Sequence, residues 1–341
     1  MSSSNLIMDF YYKNHIPVFI FLKIMVVTSI YLAAIFLFND NWLFNYQDFT
    51  KVYSDCSQSF ANIGFTKLIC FVGVDNFSNW SPIIAFITKT LILIGYLSIF
   101  KQFLDKKSFL FISFLLIIHP YLAIHSIRFY NDIFSEIFIF LIFSFFVLNK
   151  RPNLLLVAAL ITLIYLRYLN GLIAICFFLP VLVFNYKNEK TKSLIYIFII
   201  LFFSMTIVLD NISYGVRGAN LISDSGITGY LLNIINLFGA RESVAINGMR
   251  GFFYEQLQTN IYGIIQILIS LLIISIHLLG FFFMILNKGH PFNSKIIYLN
   301  FYLIIHIFTI AHMRYLLPLI PIYLFFFVYF LSNDSKAKIT S

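Results

Sequence analysis

Charge is what this chain has least of. Asp, Glu, Lys and Arg make up 11% of its 341 residues, where a soluble domain carries about 25%. In their place stand 60% hydrophobic residues, with 43 Phe and 21 Tyr. A compact domain hides only about three quarters of its unfolded surface, so a soluble chain of this length cannot bury so much apolar area. That excludes a cytoplasmic enzyme, a nucleic-acid binder and a disordered protein. An AT-rich genome by itself enriches Phe and Ile, so the weight falls on the missing charge. Catalytic motifs are missing too. There is no Gly-x-Ser-x-Gly, no His-Glu-x-x-His and no Cys/His set with zinc spacing, which removes the usual serine-hydrolase and zinc-protease readings. Cysteine is nearly absent. Cys56 and Cys70 share one segment, where an oxidising compartment would permit a disulfide without requiring one, and Cys176 lies in an apolar run. No low-complexity tract, soluble domain or clear internal repeat is found, and the lack of a repeat weighs against a transporter built from inverted halves.

What is there reads as an all-α integral membrane protein, a polytopic helix bundle forming a single transmembrane domain over 1–341. A helix needs about 20 apolar residues to cross the hydrocarbon core, about 17 at the least. Ten runs qualify as candidates: 16–38, 82–100, 108–124, 133–148, 153–168, 170–186, 192–209, 261–286, 296–312 and 313–331. The first is too long for a signal-peptide core and lacks a small-residue cleavage site. With both termini cytoplasmic, the inner segments hold Lys13, Lys101, Lys106, Lys107, Lys150, Arg151, Lys187, Lys190, Lys192, Lys288, Lys295, Lys336 and Lys338. That distribution follows the preference of basic residues for the cytoplasmic side.

The net charge of +9 says less than this division. Inside, the basic residues are nearly all lysine. Outside stand six of the seven arginines, Arg128, Arg167, Arg217, Arg241, Arg250 and Arg314, together with most of the acids. Arginine is a planar fork that matches carboxylate and phosphate, where lysine is a point charge. An outer face of this kind suits an anionic substrate; solvated loop charges and internal salt bridges are the plainer explanation.

Two outer segments are long, 39–81 and 210–260, and long loops in compact proteins tend to carry function. In the first, Phe49, Val52, Tyr53, Cys56, Phe60 and Ile63 recur at helical spacing, which predicts an amphipathic helix on the outer surface. The second holds Gly215, Gly218, Gly226, Gly229, Gly239, Gly248 and Gly251, half of the 14 glycines, but no phosphate-binding spacing. Between them, in 119–136, Arg128, Asp132 and Glu136 fall at i, i+4, i+8. A helix would align them as a self-satisfying ladder or as one wall of a site. Lys89 lies mid-span and must find a partner or water. Arg167 in RYLNG and Arg314 in HMRYLLPLIP reach the same predicted level as Arg128. The three either form a ring of cations suited to pyrophosphate or snorkel singly to the headgroups. His312 and His306 lie near Arg314; a lone His in a span is more often a satisfied polar residue than a catalyst.

Three stretches resemble the GT-C class of integral-membrane glycosyltransferases, which take sugars from polyprenyl-phosphate carriers on the outer face. They are NYQDFTKVY after the first span, HPYLAIHSIRFYNDIFSE leading to RYLNG, and the late MRYLLPLIP. The resemblance covers roughly the first half of the chain and its last 30 residues. It implies a catalytic base or acceptor-positioning acid at Asp48, with Asp40 second. The candidate substrate-binding set is Arg128, Glu136, Arg167, Arg217, Arg241, Arg250, His312 and Arg314. The chain lacks the C-terminal soluble domain of many members. Its short loops also fit O-antigen and capsule polymerases, where outer arginines hold the undecaprenyl-pyrophosphate leaving group; Arg217, Arg241 and Arg250 would be the counterparts. The implied setting is the bacterial inner membrane. The implied partners are membrane lipid, a polyprenyl-linked sugar or oligosaccharide, a saccharide acceptor and, for a polymerase, a chain-length regulator. No nucleic acid is expected. No cofactor is required, and a divalent metal is left open. A lipid-linked oligosaccharide flippase or transporter is the competing class.

Overall fold

A computed structural model describes residues 3–38, 63–127, 132–148, 153–175, 179, 190–212, 261–286, 294–303 and 315–337. These residues are helical throughout apart from turns, with no strand among them. The chain divides into two compact units, Met1–Gly215 and Val216–Ser341. The first holds α1 (Ser3–Lys13), α2 (His15–Phe38), α3 (Ile63–Val72), α4 (Val74–Phe100), α5 (Lys106–Ile118), α6 (Pro120–Ile124), α7 (Ile133–Val147), α8 (Leu154–Leu166), α9 (Tyr168–Ile173) and α10 (Lys190–Ile212). A 3₁₀ turn, His125–Ile127, extends α6. The second unit holds α11 (Ile261–Leu286), a 3₁₀ segment (Ser294–Asn300) and α12 (Ile320–Ala337).

Local chemistry sets where several helices start. Asp105 caps α5 by accepting from the Ser108 amide at 3.1 Å, and Asn153 caps α8 by accepting from the Leu156 amide at 2.8 Å. Such a cap is worth about 1 kcal/mol. Pro120 has no N–H to give and crowds the preceding turn. The chain bends there by 54° between Lys106–Ile118 and Pro120–Ile127, and Pro120 opens α6 as its first residue. Pro82, by contrast, sits inside α4, whose helix begins at Val74. The long segment 39–81 is therefore helical from Ile63 onward, interrupted at Gly73, whose φ of 89° favours glycine. The amphipathic helix expected over 49–63 lies, but for Ile63, outside the described residues.

The first unit has two distinguishable ends. At one, Lys106 pairs with Asp9 at 2.5 Å, and Lys101 donates to the Tyr12 carbonyl at 2.9 Å and lies over the Tyr12 ring. The start of α2, the end of α4 and the start of α5 meet here, the end to which the lysine pattern assigns the cytoplasm. At the other, Tyr31 Oη donates to the Ile124 carbonyl at 3.3 Å. The up-down order of α2, α4 and the bent pair α5–α6 is thus visible in the packing. Between the ends, Tyr96 packs against Phe140 and Phe143. A Cβ at Gly95 would strike the Phe140 ring, so this glycine permits the close approach of α4 and α7.

Outward faces are apolar. Phe21, Ile24 and Met25 on α2, Ile84, Ile87 and Leu91 on α4, and Phe198 and Phe202 on α10 are exposed. Two helices, His15–Leu32 and Trp80–Phe100, are long and apolar enough to cross a membrane, and the bent pair around Pro120 makes a third if it is one span. Five further apolar stretches run through the described side chains: the helices Ile133–Val147 and Leu154–Leu166, and the parts Leu194–Leu209 of α10, Leu271–Leu286 of α11 and Ile320–Ser332 of α12. A helix of 13 residues such as Leu154–Leu166 spans only about 20 Å at 1.5 Å per residue, short of a hydrocarbon core of about 30 Å. The ten expected spans are therefore present only in part among the described residues. Segments 170–186 and 296–312 are described incompletely, and the last helix begins at Ile320 rather than 313.

In the second unit, α11 and α12 pack closely. A Cβ at Gly280 would meet the Tyr323 backbone carbonyl. Phe283 stacks on Phe330 at 3.8 Å, and Tyr323 Oη donates to Asn300 Oδ1 at 2.7 Å.

Candidate functional site: a buried ion-pair cluster

Within the first unit the polarity is inverted, with charge inside the apolar bundle. Lys23 is 0% exposed, Asp132 1%, Arg167 4%, Lys89 5% and Glu136 6%. Five charged groups this deeply buried need partners, because an isolated buried charge costs several kcal/mol. Four of them have found one. Asp132 is the residue before α7, and its Oδ1 meets Arg167 Nη1 at 2.5 Å. Glu136, one turn into α7, meets Lys89 Nζ on α4 at 2.8 Å.

The backbone explains how these groups converge. Asp132 and Glu136 are four residues apart and so share a face of α7. Arg167 sits where α8 stops and α9 begins, with extended backbone (φ −145°, ψ 102°). That break releases the chain from the helix and allows the guanidinium to turn back toward α7. A second cross-link lies beside it. Ser135 Oγ donates to Asn170 Oδ1 at 3.1 Å, and Asn170 Nδ2 donates to the Leu163 carbonyl at 3.4 Å. RYLNG thus contributes both its Arg and its Asn to the seam between α7 and the α8–α9 corner. Ser126 and Ser113 donate to carbonyls four residues back and are satisfied within their own helices.

Two alternatives left open by the sequence meet the structure here. Among the described residues, Asp132 and Glu136 each reach a cation on another element, while Arg128, the first member of the expected ladder, lies outside the described residues. The reason is electrostatic: two carboxylates one turn apart repel, and each is stabilised best by its own cation. Arg167 does not snorkel outward, being buried against Asp132. Lys89, expected to need a partner, has Glu136. Of the candidate site residues, Glu136 and Arg167 therefore belong to one cluster. Asp40, Asp48, Arg128, Arg217, Arg241, Arg250, His312 and Arg314 lie outside the described residues. The expected ring of Arg128, Arg167 and Arg314 is described only at Arg167.

Lys23, Asp132 and Asn170 were not among the candidate site residues. The signal for Lys23 was a lone lysine in the otherwise apolar run HIPVFIFLKIMVV, where a charge is kept only for a reason. Cys70 on α3 is disulfide-bonded; the other two cysteines, Cys56 and Cys176, lie outside the described residues. Among the described residues no group of three His, Cys, Asp or Glu side chains is placed to hold a metal. No protein-family model, curated protein or solved structure matches this chain.

Proposed function

We propose that this chain is a polytopic protein of the bacterial inner membrane, of about ten spans, that transfers sugar from a polyprenyl-(pyro)phosphate carrier to a saccharide acceptor on the outer face, in surface-polysaccharide synthesis. The observation that carries this reading is the buried cluster, where Lys89 and Arg167 pair with Glu136 and Asp132 and Lys23 is wholly buried as well. An apolar bundle that keeps these basic side chains inside is suited to an anionic group, and the phosphate of a lipid-linked sugar is such a group. Asp132 would orient the Arg167 guanidinium, which with Arg128 would stabilise the phosphate as it leaves; Arg314 is a further candidate for holding a phosphate. Asp48, or Asp40, would take the proton of the acceptor hydroxyl. The disulfide at Cys70 supports an oxidising, outer location for the α3 end of the first unit.

The test is the polysaccharide made by cells carrying Asp48→Asn, Arg314→Ala or Arg167→Lys. Loss of one sugar from full-length chains is expected of a transferase. A single repeat unit on the lipid is expected of a repeat-unit polymerase, which would work with a chain-length regulator. Unchanged length and sugar content in all three variants would refute the assignment. A second reading, a lipid-linked oligosaccharide flippase or transporter, is favoured by one observation: the buried charges come from several helices, α2, α4 and α7, rather than from one face. Proteoliposomes that move a lipid-linked oligosaccharide across the bilayer without forming a glycosidic bond would select it.

A further inference from the structure

At the end of the first unit where α1, the end of α4 and the start of α5 meet, Lys13, Lys101, Lys106 and Lys107 stand against only Asp9 and Asp105. Part of this charge is already engaged. Lys106 pairs with Asp9, Lys101 turns inward to the Tyr12 carbonyl, and Asp105 is taken up as the cap of α5. Lys13 and Lys107 are exposed and make no ion pair among the described residues.

Their positions on the helices show what they face. On α5, Lys107, Phe111, Phe114 and Ile118 recur at i, i+4, i+7 and i+11, and all are exposed. Lys107 is therefore the first residue of the stripe that α5 turns to lipid. The same holds for α2. Helical bonding runs on across the bend at Asn14, whose N–H donates to the Phe10 carbonyl at 2.9 Å and whose carbonyl accepts from the Val18 N–H at 3.2 Å. The helical period is kept from α1 into α2, so the exposed stripe of Pro17 and Phe21 continues back to Lys13 and Phe10, which are exposed too. The stretch long enough to span begins at His15. Lys13 precedes it by about 3 Å along the axis and Phe10 by no more than about 7.5 Å, the depth of a headgroup layer of about 5–7 Å. Two ammonium groups without a carboxylate, at the level of the phosphates and at the head of acyl-facing stripes, complement a lipid of net negative charge. A zwitterionic lipid carries its own ammonium, which cancels much of that attraction.

We propose that this end of the first unit is a docking surface for anionic phospholipid, with Lys13 and Lys107 contacting headgroup phosphate and the stripes beside them holding the acyl chains. The surface rests on the membrane reading of the first unit and not on glycosyl transfer: lipid retention reads the one, polysaccharide composition the other.

The experiment is native mass spectrometry of the purified full chain in a neutral glycoside detergent, with phosphatidylglycerol and phosphatidylcholine of matched acyl chains added at equal concentration. Phosphatidylglycerol adducts are expected to predominate. Lys13→Gln and Lys107→Gln are each expected to lower that preference about fivefold, the worth of one basic residue near an anionic surface, and Lys13→Arg/Lys107→Arg to keep it. Lys67→Gln, which removes an exposed lysine of α3, is expected to leave it unchanged. Equal retention of the two lipids overturns the proposal, as does an undiminished preference in Lys13→Gln/Lys107→Gln or an equal loss in Lys67→Gln. A second measurement needs no variant: the two lipids retained by the wild-type chain are compared after washing at about 0.1 M and about 1 M sodium chloride. The phosphatidylglycerol share is expected to fall at the higher salt, and an unchanged share overturns a contact made by exposed ammonium groups.

Discussion

Asp132 and Glu136 stand one turn apart on α7, and each is held by a cation from a different helix. Removing one partner of a buried pair leaves the other uncompensated, at a cost of about 3–5 kcal/mol, whereas replacing both by apolar groups is often neutral. Glu136→Leu alone is therefore expected to lower stability by about that much, and the Glu136→Leu/Lys89→Met double variant to recover much of it. Thermal melting in detergent measures both. A double variant no more stable than the worse single one would show that the pair does not act as a unit. The exposed pair at the opposite end behaves differently. Lys106, first by its hydrogen bond and then by its charge, holds the Asp9 carboxyl below its usual value of 3.8. A lowered carboxylate pKa adds stability in full above the unfolded value and loses it as the pH falls through the folded one. Asp9→Asn is thus expected to lower the melting midpoint slightly at neutral pH and to converge with wild type as the pH falls through the lowered folded pKa. Melting curves across pH 2–7 test the sign.

At the level of elements, three of the close helix contacts made at described glycines have different neighbours. At Gly64 and Gly280 the added Cβ would meet a backbone carbonyl, of Tyr165 and Tyr323, whereas at Gly95 it would meet the ring of Phe140. A ring can turn aside and a helix backbone cannot. Gly64→Ala and Gly280→Ala are expected to cost more than Gly95→Ala, within the range of about 1–3 kcal/mol typical of overpacking. Equal midpoints for the three variants would contradict this. These contacts also show what the sequence revealed and what it concealed. Long apolar runs were legible: the expected 16–38 and 261–286 match α2 and α11 to within a residue. The start of α4 was not, because Pro82 reads as a boundary and here falls inside a helix. The Arg167–Asp132 pair was half legible. Its residues were conspicuous as charges beside apolar runs, but spacing along one helix suggested a local ladder. Only the packing of α7 against the α8–α9 corner reveals the actual partner, and that is a contact between positions 35 residues apart for the neighbouring Ser135–Asn170 bond.

For the whole molecule, the question is which side of the membrane each end of the first unit faces. On the proposed orientation the lysine pattern would place the α1–α5 end in the cytoplasm, and the disulfide at Cys70 would place the α3 end in an oxidising compartment. The two arguments are independent, one resting on insertion and the other on redox chemistry, and the packing makes them testable together. α2 runs from the Lys101–Tyr12 end to the end where Tyr31 meets Ile124. If the first argument is right, Tyr31 lies on the outer side. If the second is right, Cys70 does too. In spheroplasts, Cys70 is expected to resist a membrane-impermeant maleimide until a reductant is added, and then to label from outside. A single cysteine placed at Lys107 in a chain whose three native cysteines are Ser should label only after the membrane is permeabilised. Labelling of both positions from the same side would mean that the charge rule and the disulfide disagree about the first unit. The outer-face assignment, and with it the proposed encounter of Arg167 with a lipid-linked phosphate from that side, would then fail.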